Sequence, residues 1–249
     1  MSDILTREDS GVLIITFNRE ARKNAITVPM YQHLTATLER AAADPGIAVV
    51  LFHGSEQTFS AGNDLGDFLS DPPSRADAPV WQFLRSLSAF PKPLVAAVCG
   101  VAVGIGTTLL LHCDLVHAGS NARFSLPFVN LGLCPEAGAS LLLPRLMGYQ
   151  RAAEALLLGE PFDAQAALQA GLVNRVVAPQ QALESALAQA RKLASKPLQA
   201  VLETRRLLKS ASADVLRERI DEEARVFAQL LETDRAREVI AGFGGKRVV

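Results

Sequence analysis

An α/β fold that ends in a run of helices is predicted for this chain by three observations. Short apolar, β-branched runs alternate with helical patterns from Val12 to about residue 177. Two of those runs lead into glycine-bearing loops, FSAGNDL at residues 59 to 65 and GVAVGIG at residues 100 to 106. From about Ala182 onward the strand signals stop and only helical spacing remains.

The elements follow in order. Val12 to Phe17 and Ala48 to His53 are apolar runs of strand length, and between them Thr27 is placed to cap a helix from about Pro29 to Ala43. Gly66 to Phe90 holds Pro72, Pro73 and Pro79, so it begins as a loop; Val80, Phe83, Leu84 and Leu87 then space out a short amphipathic helix, closed by Pro91 and Pro93. Leu94 to Val98 is the next strand. Thr107 to Cys113 is apolar on nearly all sides, as a helix inside a core would be, and Leu115 to Ala118 is a further strand. Residues 144 to 158 predict one helix with Leu146, Ala153, Leu156 and Leu157 inward, ended by Gly159. FDAQAALQAGLVNRVV, from Phe162, spells a short helix, a glycine stop and a strand. In the tail, Leu183, Leu187 and Ala190 share a face, Pro197 starts a new segment, and Val215 to Leu231 places Ile220, Ala224, Phe227 and Leu231 at helical spacing. That tail is either a flap on the core or an oligomer contact.

Composition bounds the function. The 249 residues are 49% hydrophobic and 20% charged with a formal net charge of −1, enough for a full core at roughly 100 to 200 residues per domain. No basic field exists to hold nucleic acid or a membrane surface. No apolar run approaches the roughly 18 residues of a membrane span, and MSDILTREDSG lacks a signal-peptide layout, so a cytoplasmic address is expected. Cys99, Cys113 and Cys134 lie in apolar surroundings without CxxC spacing, as buried reduced thiols do. His33, His53, His112 and His117 show no ligand spacing, so no metal is expected, and no GxSxG is present.

The chemistry lies in the glycine loops and in Glu136. The first N–H groups of a helix have no partner, and a glycine loop entering it lets a ligand oxygen approach them. Gly62, Gly104 and Gly106 alone would equally serve tight turns. Asp64 is placed to cap the helix after its loop, and Asp114 to anchor a turn. Trp81, Phe83, Leu84 and Leu87 either wall a pocket or pack the core.

The succession NREARKNAI, FSAGNDL, PKPLVAAVCGVAVGIG, FSLPFVNLGLCPEAGAS and AGLVNRVV, covering almost the whole chain in order, resembles the crotonase superfamily, also called the enoyl-CoA hydratase/isomerase family. The resemblance implies a spiral of ββα units over residues 1–190 and a helical trimerisation region over 191–249, assembled as trimers or dimers of trimers. It implies that the backbone N–H groups of Asn63 and Ile105 polarise an acyl-CoA thioester carbonyl. It also implies that Lys23, Asn24, Ala25, Ser60 and Ala61 line the CoA, with Phe243 and Lys246 reaching it from near the C-terminus. Lys23 and Lys246 could equally be solvated surface charges. CoA is then part of the substrate, and no separate cofactor is implied.

One departure is informative. The typical hydratase of the family carries two glutamates where this chain has Thr108 and Phe128, neither of which exchanges a proton near neutral pH. Glu136, in LCPEAG, resembles the single catalytic glutamate of peroxisomal-type Δ3,Δ2-enoyl-CoA isomerases. Three readings follow: an isomerase with Glu136 as proton shuttle, a hydratase or hydrolase in which Glu136 directs water, and a non-catalytic acyl-CoA-binding module. Acyl chain length and the choice between fatty-acid β-oxidation and another acyl degradation stay open.

Overall fold

The structure, a computed structural model, describes residues 2–244. Ten strands form two sheets. The larger, six-stranded, has the order β1-β2-β3-β5-β7-β10, and the smaller, four-stranded, the order β4-β6-β8-β9. Strands β1 (Ile4–Asp9) and β2 (Val12–Phe17) form an antiparallel hairpin across Ser10 and Gly11, both at positive φ, as a two-residue primed turn requires. The alternation of Leu13, Ile15 and Phe17 with Val12 and Ile14 fills both faces of the sheet, which is why β2 is a continuous apolar run.

After β2 the chain repeats one unit. A strand of the large sheet leads to a strand of the small sheet and then to a helix. In the first unit, β3 (Val49–His53) and β4 (Thr58–Ser60) precede helix α2 (Leu65–Ser70). In the second, β5 (Leu94–Val98) and β6 (Val101–Val103) precede α4 (Ile105–Thr108). In the third, β7 (Leu115–Gly119) and β8 (Arg123–Ser125) precede α5 (Ala139–Met147). Successive units pair in parallel, β3 with β5 and β5 with β7, β4 with β6 and β6 with β8. The result is a spiral of ββα units. Helix α1 (Val28–Ala43), N-capped by Thr27, packs on α3 (Pro79–Ala89), and Lys92 reaches the carbonyls of Ala41 and Asp44 at its C-terminal end.

Several local expectations change. Gly148, at φ +82°, breaks the 144–158 segment into α5 and α6 (Tyr149–Leu158). The break resets the helical phase, so Ala152 and Ala155 are the buried positions of α6, while Leu146 and Leu157 are exposed. The 107–113 segment is α4 followed by a 3-10 turn, Leu109–His112. The 66–90 segment opens with a helix rather than a loop, because Asp64 caps α2 by accepting from the N–H groups of Gly66 and Asp67. Trp81, Phe83, Leu84 and Leu87 are core residues. The cysteines are free thiols, and Asp114 anchors its turn by accepting from Leu94 N–H and pairing with Arg205 at 2.7 Å.

The segment after β8 continues through β9 (Phe162–Asp163), α7 (Ala164–Gln169) and β10 (Arg175–Val177). Helix α8 (Ala182–Ala194) covers the far face of the large sheet with Ala186, Leu187 and Ala190, so the 190/191 division falls inside it. Helices α9 (Leu198–Ser210), α10 (Ala213–Leu231) and α11 (Asp234–Gly244) complete the described residues. Helix α10 returns to the spiral: Phe227 meets Trp81 edge-on at 5.4 Å and Phe68 at 5.9 Å. No helix of the described residues is long and apolar enough to cross a membrane.

Gly100, at φ +61°, joins β5 to β6 so tightly that a Cβ there would lie 1.6 Å from the Gln57 carbonyl oxygen. A left-handed alanine alone costs about 1–2 kcal/mol, and the clash adds to it. Gly100→Ala is expected to destabilise the protein by at least about 2 kcal/mol, measured as a lowered midpoint in urea denaturation.

Candidate active site

Every residue of the candidate site leaves the C-terminal edge of the small sheet or packs on what does. From β4 the chain runs through Ala61 and Gly62 to Asn63, and from the adjacent parallel strand β6 through Gly104 to Ile105. Gly62 is what lets the two loops meet: at φ +90°, a Cβ on it would sit 2.8 Å from the Val103 carbonyl oxygen and 4.0 Å from the Gly104 nitrogen. Gly106 serves α4 likewise, since a Cβ there would lie 2.7 Å from the Ser60 carbonyl oxygen. Asn63 is bracketed by Ile26, whose N–H binds Gly62 O and whose carbonyl accepts from Asp64 N–H. The N–H groups of Asn63 and Ile105 make no hydrogen bond among the described residues. Ile105 is the first residue of α4, where an unpaired N–H also carries the positive end of the helix dipole.

The segments 23–25 and 60–61 come together beside the first loop. Ala61 N–H donates to Lys23 O, and Ser60 Oγ donates to Asn24 O at 2.9 Å. Asn24 is wholly buried; its amide donates to the Thr58 and Phe59 carbonyls while its Oδ1 accepts from Arg19 N–H. Its side chain, like that of Ser60, therefore fastens the junction and leaves the backbone as the surface. Lys23 is exposed, and both it and Asn24 are left-handed, at φ 51° and 53°. Arg19 ties the junction to the first loop through Ala25 O and through Asp64 at 2.7 Å. Phe243 falls in α11, but its side chain lies outside what the structure describes, and Lys246 lies outside the described residues.

Glu136 is wholly buried in the loop that precedes α5. Its Oε1 accepts from Thr108 Oγ1 at 3.1 Å, and its Oε2 is buried without a partner among the described residues. The loop turns through Ala137 at φ +63° and Gly138 at φ +72°, and a left-handed alanine costs about 1–2 kcal/mol. Two distant side chains hold it in that shape. His112 donates from Nε2 to Ala137 O at 2.9 Å. Glu223, from α10, accepts from Gly138 N–H at 2.6 Å and from the N–H and Oγ of Ser140, capping α5 with a carboxylate. Phe128 lies over the second loop, its ring 3.9 Å from where a Gly104 Cβ would be.

Sequence reasoning missed four contributors: Tyr31, Thr108 as a partner of Glu136, His112 and Glu223. Tyr31 donates its hydroxyl to Asn63 Oδ1 and, with Asn63, Ile26, Phe68 and Val80, lines a small pocket. Burial pushes its phenol well above the usual range, and the nearby Glu136 adds to the shift. Thr27, capping α1, foretold the helix but not the direction of Tyr31. Metal-ligand spacing in the sequence says nothing of a His112 hydrogen bond to a carbonyl 25 residues away.

Burial pushes the Glu136 carboxyl up to about 8; the Thr108 hydrogen bond opposes this and Glu223 reinforces it. The resting protein at neutral pH thus holds Glu136 mainly as the acid. Because its folded pKa exceeds its unfolded value of 4.5, its favourable contribution is fully present below about pH 4.5 and is lost as pH rises through about 8. Glu136→Gln removes this penalty. The variant is expected to melt several degrees above the parent at pH 9, with the difference shrinking as pH falls and vanishing only below about pH 4.5, in parallel thermal scans.

The model of the enoyl-CoA hydratase/isomerase family matches residues 7–249. Over 248 residues the chain is 37% identical to the 2,3-dehydroadipyl-CoA hydratase of Escherichia coli, covering 99% of this chain and 97% of that one. It is 42% identical over 163 residues, 63% of this chain, to enoyl-CoA delta isomerase 2 of Rattus norvegicus, and 38% identical over 164 residues, 64% of this chain, to the peroxisomal enoyl-CoA delta isomerase 3 of Mus musculus. The match spans only 41% and 51% of the length of those two isomerases. Among solved structures, Pseudomonas aeruginosa OdaA superposes with a TM-score of 0.96 at 44% identity, covering 99% of this chain and 100% of that one. An enoyl-CoA hydratase/isomerase from Pseudoalteromonas atlantica superposes at 0.93 with 37% identity, covering 99% and 98%. With its spiral of parallel ββα units and its helical C-terminal region, this chain belongs to the enoyl-CoA hydratase/isomerase family, within the crotonase superfamily.

Proposed function

We propose that the protein is a Δ3,Δ2-enoyl-CoA isomerase in which Glu136 carries the proton. The observation that carries this reading is the company Glu136 keeps. Its carboxyl faces the hydroxyl of Thr108 and no second proton-exchanging carboxylate at the positions where a paired-glutamate hydratase has them. Glu223 is another carboxylate that acts on it, and both its oxygens are taken by Gly138 and Ser140. The two mammalian relatives named as enoyl-CoA delta isomerases support the same assignment.

The reaction follows from these parts. A thioester carbonyl oxygen accepts from the N–H groups of Asn63 and Ile105, and such donors are typically worth about 3 to 4 kcal/mol each in a well-built oxyanion hole. Glu136, once ionised, takes a proton from C2; the electron pair of that C–H bond delocalises through the 3,4 double bond and the carbonyl as a dienolate. The same carboxyl returns the proton to C4, leaving the double bond at the 2,3 position, conjugated with the thioester. Nothing is oxidised and no water is consumed. A carboxyl held near neutral in pKa is matched to both halves of the transfer. The CoA portion is assigned to the junction of Lys23, Asn24, Ala25, Ser60 and Ala61, with no cofactor beyond the thioester itself. Helix α9 exposes Leu207 and Leu208, and we assign the C-terminal helices to assembly as a trimer or dimer of trimers.

A hydratase is the second reading, favoured by the nearly full-length similarity to a protein named as a 2,3-dehydroadipyl-CoA hydratase. In it Glu136 would direct a water to C3.

Two substrates separate the readings. With trans-3-hexenoyl-CoA, growth of conjugated enoyl-thioester absorbance without added water mass is expected. Loss of conjugation from trans-2-hexenoyl-CoA with a gain of water mass would establish the hydratase instead. Glu136→Gln is expected to abolish turnover, a loss of at least about 1,000-fold, while acyl-CoA binding measured by calorimetry stays within a few-fold; unchanged turnover would remove Glu136 from the mechanism. Because the free protein must ionise Glu136 before it can take a proton, kcat/KM is expected to rise with pH and level off above about 8.

A further inference from the structure

Thr108 and His112 stand four residues apart on one continuous helical stretch, α4 and the 3-10 turn that follows it. Both grip the same loop. Thr108 Oγ1 donates to the Glu136 carboxyl at 3.1 Å, and His112 Nε2 donates to the next residue's carbonyl, that of Ala137, at 2.9 Å. Both contacts lie inside the protein, where His112 is 1% exposed. The first residue of the same stretch is Ile105, whose N–H has no partner among the described residues. Three residues of helix separate Ile105 from Thr108, about 4.5 Å along the axis. One rod thus presents a backbone donor at its head and, along its side, two contacts to the base and its neighbour.

The protonation of His112 is settled by its partner and its surroundings. A carbonyl only accepts, so Nε2 carries the proton. Burial, reinforced by Lys209, pushes the imidazole down to about 4, and it stays neutral through the working range. Its own carbonyl accepts from Lys209 Nζ at 2.9 Å, which ties the end of the rod to α9. Among the described hydrogen bonds, His112 is the sole donor to Ala137 O, at a left-handed non-glycine residue that has a more relaxed conformation to revert to.

Resting on the assignment of Glu136 as the base, we propose that His112 is a positioning residue: by holding the Ala137 carbonyl it sets the Glu136 carboxyl in register with the Ile105 N–H and keeps it out of water. The charged and titratable groups facing Glu136 are Tyr31 from α1, Glu223 from α10 and Cys134 from its own loop. Those facing His112 are Lys209 and Arg205 from α9, together with Asp114. Tyr31 and Cys134 are both displaced upward, away from neutral pH, whereas burial raises the Glu223 carboxyl from its ordinary value, so the midpoint is assigned to Glu136 by its loss in Glu136→Gln.

The test compares His112→Leu, which keeps apolar bulk but has no donor, with His112→Gln, which restores an N–H. His112→Leu is expected to lower kcat about 100-fold, as a misplacement of about 1 Å does, with KM within about twofold of the parent. The pH midpoint of kcat/KM should fall as water reaches Glu136, and His112→Gln should recover most of both. A lowered melting temperature with kcat and the midpoint unchanged would overturn the proposal, because a merely structural histidine behaves so. The Glu136 titration is also followed by NMR in carboxyl-labelled protein without substrate, assigned by Glu136→Gln. A midpoint that falls in His112→Leu and returns in His112→Gln upholds the positioning role even if no isomerisation is found, in which case only the isomerase reading fails. A static midpoint in an active isomerase defeats the positioning role alone. Should His112→Leu not fold, His112→Asn, whose amide stops short of the Ala137 carbonyl, decides by the same two readings.

Discussion

The close parallel pairing of β4, β6 and β8 is the constraint on which the rest of the site depends. Parallel strands end on the same side, so the loops that leave them open along one edge, the place where α/β folds gather their chemistry. Here the strands are three residues long, and the loops therefore meet almost at once. Glycine makes that meeting possible: Gly62 rests against the Val103 carbonyl, Gly100 against Gln57, and Gly106 against Ser60, each at a distance that no Cβ could occupy. Two N–H groups without a partner among the described residues, those of Asn63 and Ile105, follow from this packing without any charged side chain.

Against this fixed edge the protein sets one costly group. Burying the carboxyl of Glu136 with a single hydrogen bond raises its pKa and leaves one oxygen without a partner among the described residues. The loop that bears it is also strained at Ala137. Neither feature would persist in an unsupported loop. The support is long-range: His112 from the second ββα unit and Glu223 from α10 bind adjacent parts of the turn, 25 and 85 residues away in sequence. A buried carboxylate at Glu223 is itself satisfied by two N–H groups and a hydroxyl, so it serves as a cap and contributes repulsion to Glu136 at the same time.

Much of this was legible in the residues. The strands β2, β3, β5 and β7 are apolar on both faces because sheet and helices bury them on both sides, and such runs announce themselves. Asp64 as a cap and Thr27 as a cap are local events, decided by neighbours two or three residues away. The short strands β4 and β6 are not separable from their glycine loops, and β8 is no longer than they are; three residues carry no periodicity. Strand β1 escaped because, as an edge, four of its six residues are exposed. The continuous helix expected over 144–158 failed at Gly148, where one backbone at φ +82° reset the phase of everything after it.

The sequence by itself determined the class of the fold, the order of its units, the helical tail and the identity of Glu136, Asn63 and Ile105 as residues of interest, because each is written in local pattern or in motif order. Only the tertiary structure decided what Glu136 is in this protein. Its acidity depends on burial and on Thr108 and Glu223, its place on His112, and its neighbourhood on Tyr31. Those groups come from three separate helical stretches, and the desolvation that governs a carboxyl is a property of the space they enclose together, which no stretch of chain encodes alone.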